Sequence, residues 1–332
     1  MAFLDDLDLK IVHALQLDGR APFNRVAEVL DVSDQTVARR YARLRSEHGI
    51  RVVGSTDPAL LGETSWFVRV KCLPHDAHVV AKALARRPET SWVKLVSGGT
   101  EIVCVVRGRP DEDAPAVLLD HLPRTRSVVD VTANCVLHVF FGGPQSIVDT
   151  LSPDQVTALT PRTEPGRQVV LDDTDLLLLA ILHRDGRTRV SAIHDETGLP
   201  PTTVRRRIEE LRGSGALYFD VDLDYGLLPT AMQTLLWLSA APEQLVAAGR
   251  ALAAHPEVPF AAATTGATNL YASVLSTDPA ALFTYLTTRV ADLPSTRVAE
   301  TAPLLRTVMG VKRSHRQDGL VRPCERCYCC PS

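Results

Sequence analysis

Two arginine-rich stretches carry the side chains best suited to chemistry. "DQTVARRYARLR" runs from Asp34 to Arg45, and "PTTVRRRIEELR" from Pro201 to Arg212. Thr36, Val37, Arg39, Arg40, Leu44 and Arg45 recur 167 residues later as Thr203, Val204, Arg206, Arg207, Leu211 and Arg212. A guanidinium can bond guanine O6 and N7 together, and a glutamine amide can do the same at adenine N6 and N7. At 100° per residue, Val37, Tyr41 and Leu44 fall on one apolar stripe, which turns Gln35, Thr36, Arg39 and Arg43 outward. Gln35, Arg39 and Arg43 are candidate base readers, and Thr36 suits phosphate or base. Arg40 and Arg45 lie toward the flanks and suit phosphate, whose contacts position a protein without reading sequence. In the second stretch Val204, Ile208 and Leu211 form the stripe, while Thr202, Thr203, Arg206 and Glu210 face out. Arg207 takes the flanking place of Arg40.

The two stretches are not equivalent. Glu209 and Glu210 replace Ala42 and Arg43. A carboxylate there repels phosphate or asks for a cytosine amino group. The second helix is expected to bind nucleic acid more weakly, or to read a different half-site.

A second repeated word has turn chemistry. "VSGGTEIVCVV" (Val96 to Val106) matches "TTGATNLYASV" (Thr264 to Val274), now shifted by 168. Its turns hold Ser97, Gly98, Gly99, Thr100 and Glu101 in one copy, and Thr265, Gly266, Ala267, Thr268 and Asn269 in the other. Two readings stand side by side: the glycines serve only turn geometry, or the turns contact a small ligand.

Other reactive residues form no such pattern. Cys72, Cys104 and Cys135 sit singly in apolar, strand-like stretches and read as small buried hydrophobes. Cys324, Cys327, Cys329 and Cys330 crowd the last nine residues. One CxxC lacks the second pair of ligands that a closed zinc site wants, so no metal or cofactor is expected. No dinucleotide, phosphate-loop, nucleophile-elbow or zinc-protease motif occurs.

The elements that must position these groups repeat as well. "LDDLDLKIVHALQLDGR" (Leu4 to Arg20) returns as "LDDTDLLLLAILHRDGR" (Leu171 to Arg187). Leu7, Ile11, Ala14 and Leu15 give it helical spacing. "FNRVAEVL" supplies a second helix, "DVS" a break, and Ser33 the N-cap of the third. A short helix, a tight turn, and a helix with a basic outer face make a helix-turn-helix. Pro200-Pro201 starts the third helix of the second copy.

Behind each such unit the rhythm becomes β-α-β-β-α-β, the ferredoxin-like order. Strand-like "SWFVRVKCL", helical "DAHVVAKALARR", strands "SWVKLVS" and "EIVCVVRG", helical "EDAPAVLLDHL" and strand "SVVDVTANCVLHVFF" follow one another. The fold class is therefore α+β, with two winged-type helix-turn-helix domains (1–55 and 169–222) and two ferredoxin-like domains (62–143 and 228–311) in tandem. A Gly-, Pro-, Ser- and Thr-rich linker covers 144–168, with Ser152-Pro153 able to cap a short helix. A Cys-rich tail covers 312–332.

The bulk numbers set the frame. The chain has 332 residues, is 45% hydrophobic and carries a formal charge of -3. It can build ordinary cores, and a nucleic-acid reading must rest on local patches. The run "LLLLAIL" falls short of the ~20 residues of a membrane helix. Acids at Asp5, Asp6 and Asp8 stand where a signal peptide would be positive. A cytoplasmic protein with no membrane partner is expected.

On the helix-turn-helix words and the βαββαβ units behind them, the chain resembles the Lrp/AsnC, or feast/famine, family of bacterial transcription regulators. The resemblance spans nearly everything but linker and tail. It implies double-stranded DNA as partner of the front domains, and rear domains that pair and take an amino acid or related effector. Family effector sites lie at a Thr-Gly-x-x-Asp turn, here the turns ending at Glu101 and Asn269, so the usual short carboxylate is missing from both. The tandem chain is then a built-in pseudo-dimer, with homo-oligomers implied above it. A regulator, not an enzyme, is expected. The alternative is a sirohaem-decarboxylase-like enzyme, whose family shares this arrangement and needs His with Arg or Tyr around a tetrapyrrole. His75 and His78 are the nearest cluster, and the second copy has Pro242, Glu243 and Gln244 in that region.

Overall fold

The computed structural model describes residues 4–87, 89–109, 122–141, 150–161, 169–223, 227–228 and 232–309. The expected helix near 112–122 and the Cys-rich tail with Cys324, Cys327, Cys329 and Cys330 lie outside them, apart from Leu122. Each front unit is three helices and a strand: α1 (Asp6–Leu17), α2 (Phe23–Leu30), α3 (Asp34–His48) and β1 (Arg51–Thr56). The first rear unit has β2 (Thr64–Cys72), α4 (Ala77–Ala85), β3 (Thr90–Val96), β4 (Glu101–Gly108) and β5 (Val128–Phe141). A linker helix, α5 (Pro153–Leu159), leads to α6 (Asp173–Arg184), α7 (Val190–Thr197), α8 (Pro201–Gly213) and β6 (Leu217–Asp222). The second rear unit has β7 (Met232–Ala240), α9 (Leu245–Ala253), β8 (Phe260–Thr264), β9 (Leu270–Ser276), α10 (Pro279–Tyr285) and β10 (Thr296–Thr307).

Local chemistry sets the helix ends. The Asp5 carboxylate accepts the Asp8 N–H at 2.9 Å and starts α1. Asp172 and Asp175 do this reciprocally at α6, each accepting the other's backbone N–H. Ser33 caps α3 by accepting the Thr36 N–H, and α3 stops at Gly49, whose φ of 68° is the left-handed turn glycine permits. Ser152 and Gln155 form a capping box on α5 with Pro153 in its first turn.

The halves interlock at two levels. In front, β1 and β6 pair antiparallel with each other, from Arg51 opposite Asp222 to Thr56 opposite Leu217. Each arm's single wing strand thus finds its partner in the other arm. Ile11, Leu15, Val37, Leu44, Leu178, Leu182, Val204 and Leu211 belong to one continuous apolar core spanning both front units. Behind, eight strands close into a barrel in the order β10-β3-β4-β2-β5-β8-β9-β7. The long last strand of each rear unit crosses over: β5 pairs with β8, and β10 with β3. Helices cover the outside, with Val80 and Leu84 of α4 in one outer core and Ala248 and Leu252 of α9 in the other. A third cluster, including Phe67, Val103, Trp237 and Tyr271, fills the space where the two sheets face.

Candidate nucleic-acid interface and effector turns

On α3, Val37, Tyr41 and Leu44 are buried, as the helical spacing requires. Gln35 and Arg39 are exposed and Thr36 is half-buried, its hydroxyl 2.8 Å from that of Ser33. The remaining arginines meet carboxylates. Arg40 pairs with Asp5 and lies 3.2 Å from Asp8. Arg43 Nη2 lies 2.5 Å from the Asp8 carboxylate, a group only 2% exposed. Burial acts to raise the Asp5 carboxyl, but the hydrogen bonds from Arg40 and the Asp8 N–H outweigh it and hold the carboxyl below its ordinary range. The hydrogen bond to Asp5 raises the Arg40 guanidinium in return. The apolar stripe left Arg43 on the outer face. The fold instead bends it back onto α1, because a long side chain reaches a buried carboxylate one helix away.

The second arm keeps half of this arrangement. Arg207 bonds Asp172 at 2.5 Å and lies 3.6 Å from Asp175. The Asp175 N–H, first among several contacts, draws the Asp172 carboxyl below its usual range. Glu210, where the first arm has Arg43, holds Arg206 at 2.7 Å. So Arg206 has an exposed, solvent-screened partner on its own helix, whereas its counterpart Arg39 has no ion pair among the described residues. Arg205, which the sequence reading passed over, is exposed and has no ion pair among the described residues either; Thr202 is exposed beside it.

Arg45 has a different task from the phosphate contact its position suggested. It lies 2.8 Å from Asp185 of the other arm, and its counterpart Arg212 lies 3.0 Å from Asp18. Arg20 donates to the Gly186 and Thr188 carbonyls at 2.7 and 3.2 Å, and Arg187 to those of Gly19 and Ala21 at 2.6 and 3.0 Å. The repeated Asp-Gly-Arg is therefore the clasp between the arms. A Cβ on Gly19 would come within 2.7 Å of Phe219 and Val52, and one on Gly186 within 2.9 Å of the same two side chains. Only glycine allows that approach. The signal was visible as a repeated word, but a clasp between distant copies cannot be read from local spacing.

The two effector turns differ from each other. In the first, Ser97 and Gly98 take positive φ of 54° and 68°. Glu101 is 3% exposed. It accepts from Arg69 Nε at 2.6 Å, with Ser97 Oγ 3.3 Å away. Arg69 also bonds Glu300 of the second half through both terminal nitrogens, at 2.9 and 2.8 Å, and its guanidinium lies 3.9 Å from the Trp237 ring centre. In the second turn Asn269 caps the Ala240 backbone, accepting its N–H and donating to its carbonyl, both at 2.9 Å. Thr265 is tied to β5: its N–H donates to the Cys135 carbonyl and its hydroxyl accepts the Cys135 N–H, both at 2.9 Å. Gly266, with φ of 105°, lies so close to Asn134 that a Cβ would collide with its amide. Thr100 is exposed, and Thr268 bonds the Thr264 hydroxyl through its carbonyl. His75 is exposed at the start of α4, next to Asp76. Among the described residues no group of three metal-ligating side chains gathers, and no helix is long and apolar enough to cross a membrane.

Comparison with known proteins places these elements. The AsnC-type helix-turn-helix domain matches residues 4–45 and again 171–212, and the Lrp/AsnC ligand binding domain matches 65–145. The HTH-type transcriptional regulator FL11 of Pyrococcus horikoshii is 31% identical over 113 residues, covering 33% of this chain and 74% of that protein. The HTH-type transcriptional regulator LysM of Sulfurisphaera tokodaii is 27% identical over 142 residues, 42% of this chain and 100% of its own length. Both come from archaea, so the bacterial setting attached to the resemblance has no support from them. Among solved structures, the siroheme decarboxylase NirDL superposes over 93% of this chain and 94% of its own, with a TM-score of 0.64 at 13% identity. That likeness is one of fold.

Proposed function

The chain belongs to the Lrp/AsnC family of helix-turn-helix regulators, and from that premise we propose that it is a cytoplasmic, sequence-specific DNA-binding transcriptional regulator whose two unlike reading arms are held in one chain. The observation that carries this is the state of the reading helices. Gln35 and Arg39 are exposed on α3, and Arg39 is free of ion pairs among the described residues, while Arg206 on α8 is held by Glu210. The first arm reads bases through Gln35, Thr36 and Arg39. The second uses Thr202, Thr203 and Arg205 more weakly. Arg40, Arg43 and Arg207 brace their helices against α1 and α6, and Arg45 and Arg212 join the arms.

Arg39→Ala should weaken binding to the protein's own promoter by about 1–3 kcal/mol, the worth of a bidentate base contact. Arg206→Ala should cost less than half of that in the same titration. Equal losses, or none, would remove the asymmetry. The wild-type affinity should fall linearly with log salt, by about 0.9 log units per phosphate contact for each log unit of salt.

In this reading the rear barrel takes an amino acid or a related small effector at the first turn. Ser97, Gly98, Gly99 and Thr100 carry it, with Glu101 held behind them on Arg69, whereas the second turn is tied to β5 through Thr265. The enzyme alternative has support in likeness of fold alone. Phe67, Trp237, Phe260 and Tyr271 meet with ring centres 4.3 to 6.0 Å apart between the sheets. A sirohaem titration should leave the pigment's absorbance unchanged; a saturable spectral shift would restore the decarboxylase reading.

A further inference from the structure

A two-fold axis brings counterpart residues face to face. In this chain the axis is only approximate, so the counterparts that meet on it need not be alike. The strand registers identify them. In β2, Arg69 pairs with Val103 on one side and Thr132 on the other. In β7, Trp237 pairs with Tyr271 on one side and Glu300 on the other. Each of the second set lies 168 positions after its mate in the first. Arg69 and Trp237 are thus the same place in the two halves, and they stack on each other at 3.9 Å. Glu300, the counterpart of Thr132, binds that same Arg69 from the Trp237 side. Glu101, whose counterpart is Asn269, binds it from its own side.

The wing shows the same feature independently. Val53 lies opposite Asp220, its own counterpart, and Arg51 opposite Asp222 at 3.1 Å. The pair related to it by the two-fold axis, Ser55 and Tyr218, carries no opposite charges. By contrast, the clasp is symmetric: Asp18, Arg20 and Arg45 have Asp185, Arg187 and Arg212 as identical mates. The clasp would close as well between two first halves as between a first and a second. The axis residues would not.

We propose that Arg69, Glu101 and Thr132, set against Trp237, Asn269 and Glu300, form a pairing code that makes each half fit the other half and reject a copy of itself. Two first halves would bring Arg69 against Arg69, each keeping its own Glu101 but without the bidentate Glu300. Two second halves would bring Trp237 against Trp237, with two Glu300 carboxylates lacking a guanidinium and two Asp220 side chains directly opposed in the wing. Arg69 is nearly buried, its side chain 12% exposed. A mispaired charge there costs more than the correct pair contributes, which is how buried ion pairs discriminate between partners. The code keeps one of each arm in every molecule. It concerns pairing alone and stands or falls apart from DNA binding.

The test exchanges the code within the full chain. R69W/E101N/T132E gives both halves the second set, and W237R/N269E/E300T gives both the first. The six-fold variant exchanges the sets entirely and restores unlike counterparts. Each three-fold variant should lower the thermal midpoint by roughly 5 °C or more, and the six-fold variant should regain at least half of either loss. If the three-fold chains do not fold, folding of the six-fold chain is the supporting result. A six-fold chain that loses as much as the two three-fold chains together, or fails to fold, overturns the proposal. So do three-fold variants that melt like the parent.

Discussion

Asp8 is 2% exposed and takes Arg43 at 2.5 Å and Arg40 at 3.2 Å. Both arginines remain partly exposed, so solvent screens the pair. Asp8→Asn should still cost about 1–3 kcal/mol, because the guanidiniums lose the carboxylate that fixes α3 on α1. Urea unfolding checks this, and an unchanged midpoint would reduce the pairs to surface decoration. Asp220 raises a separate question of pH. Burial pushes its carboxyl up to about 7, against the Val221 N–H bond that lowers it. Between the ordinary carboxylate range and that value the folded chain holds a proton that the unfolded chain has lost. Stability from this group therefore falls as pH rises from about 4 to about 7 and is flat above. Asp220→Asn should remove that slope and raise stability at pH 8 by about 1–2 kcal/mol. A slope that survives the substitution would place the titration elsewhere. At this scale the sequence exposed which residues repeat, but not their partners. Arg43 looked outward by periodicity and Arg45 lay toward the flank, and both bond carboxylates that lie far away along the chain.

The linker helix shows how much an element can hide. Ser152-Pro153 announces its start, and the capping box is present. Nothing local announces where it docks. Gln155 donates to the Val29 carbonyl at 2.8 Å, Arg25 donates to the Ala158 carbonyl at 2.5 Å, and Leu159 is fully buried. His13 Nδ1 accepts the N–H groups of Thr150 and Leu151, both at 3.1 Å. That nitrogen must therefore be unprotonated. The second arm has Ala180 where the first has His13 and Ala192 where it has Arg25, so α5 belongs to the first arm alone. His13→Phe should strip two amides of their acceptor and speed hydrogen exchange of Thr150 and Leu151 at least tenfold, equivalent to about 1.4 kcal/mol of local stability. Ser152→Ala should cost about 1 kcal/mol through the cap. Unchanged exchange at Thr150 and Leu151 in the His13 variant would mean that α5 is held by apolar packing instead.

For the whole molecule, the order of elements was legible because each helix and strand has its own period, and the tandem copy doubled every signal. The front units and the second βαββαβ unit lie where the repeated words place them, as do the described elements of the first. Closure of the barrel was not legible. It depends on β5 and β10 running past their own sheets to pair with β8 and β3, and strand pairing across more than a hundred residues leaves no local mark. The clasp and the wing fix the two reading helices in a single frame, and Glu210 makes them unlike. Selection of bound sequences from a random DNA library by the full-length chain tests this account most directly. We predict a non-palindromic site of two unlike half-sites, spaced by about 10–10.5 base pairs or a multiple of it, with the better-defined half lost in Arg39→Ala. A palindrome read equally on both sides, or no enrichment above random sequence, would contradict it.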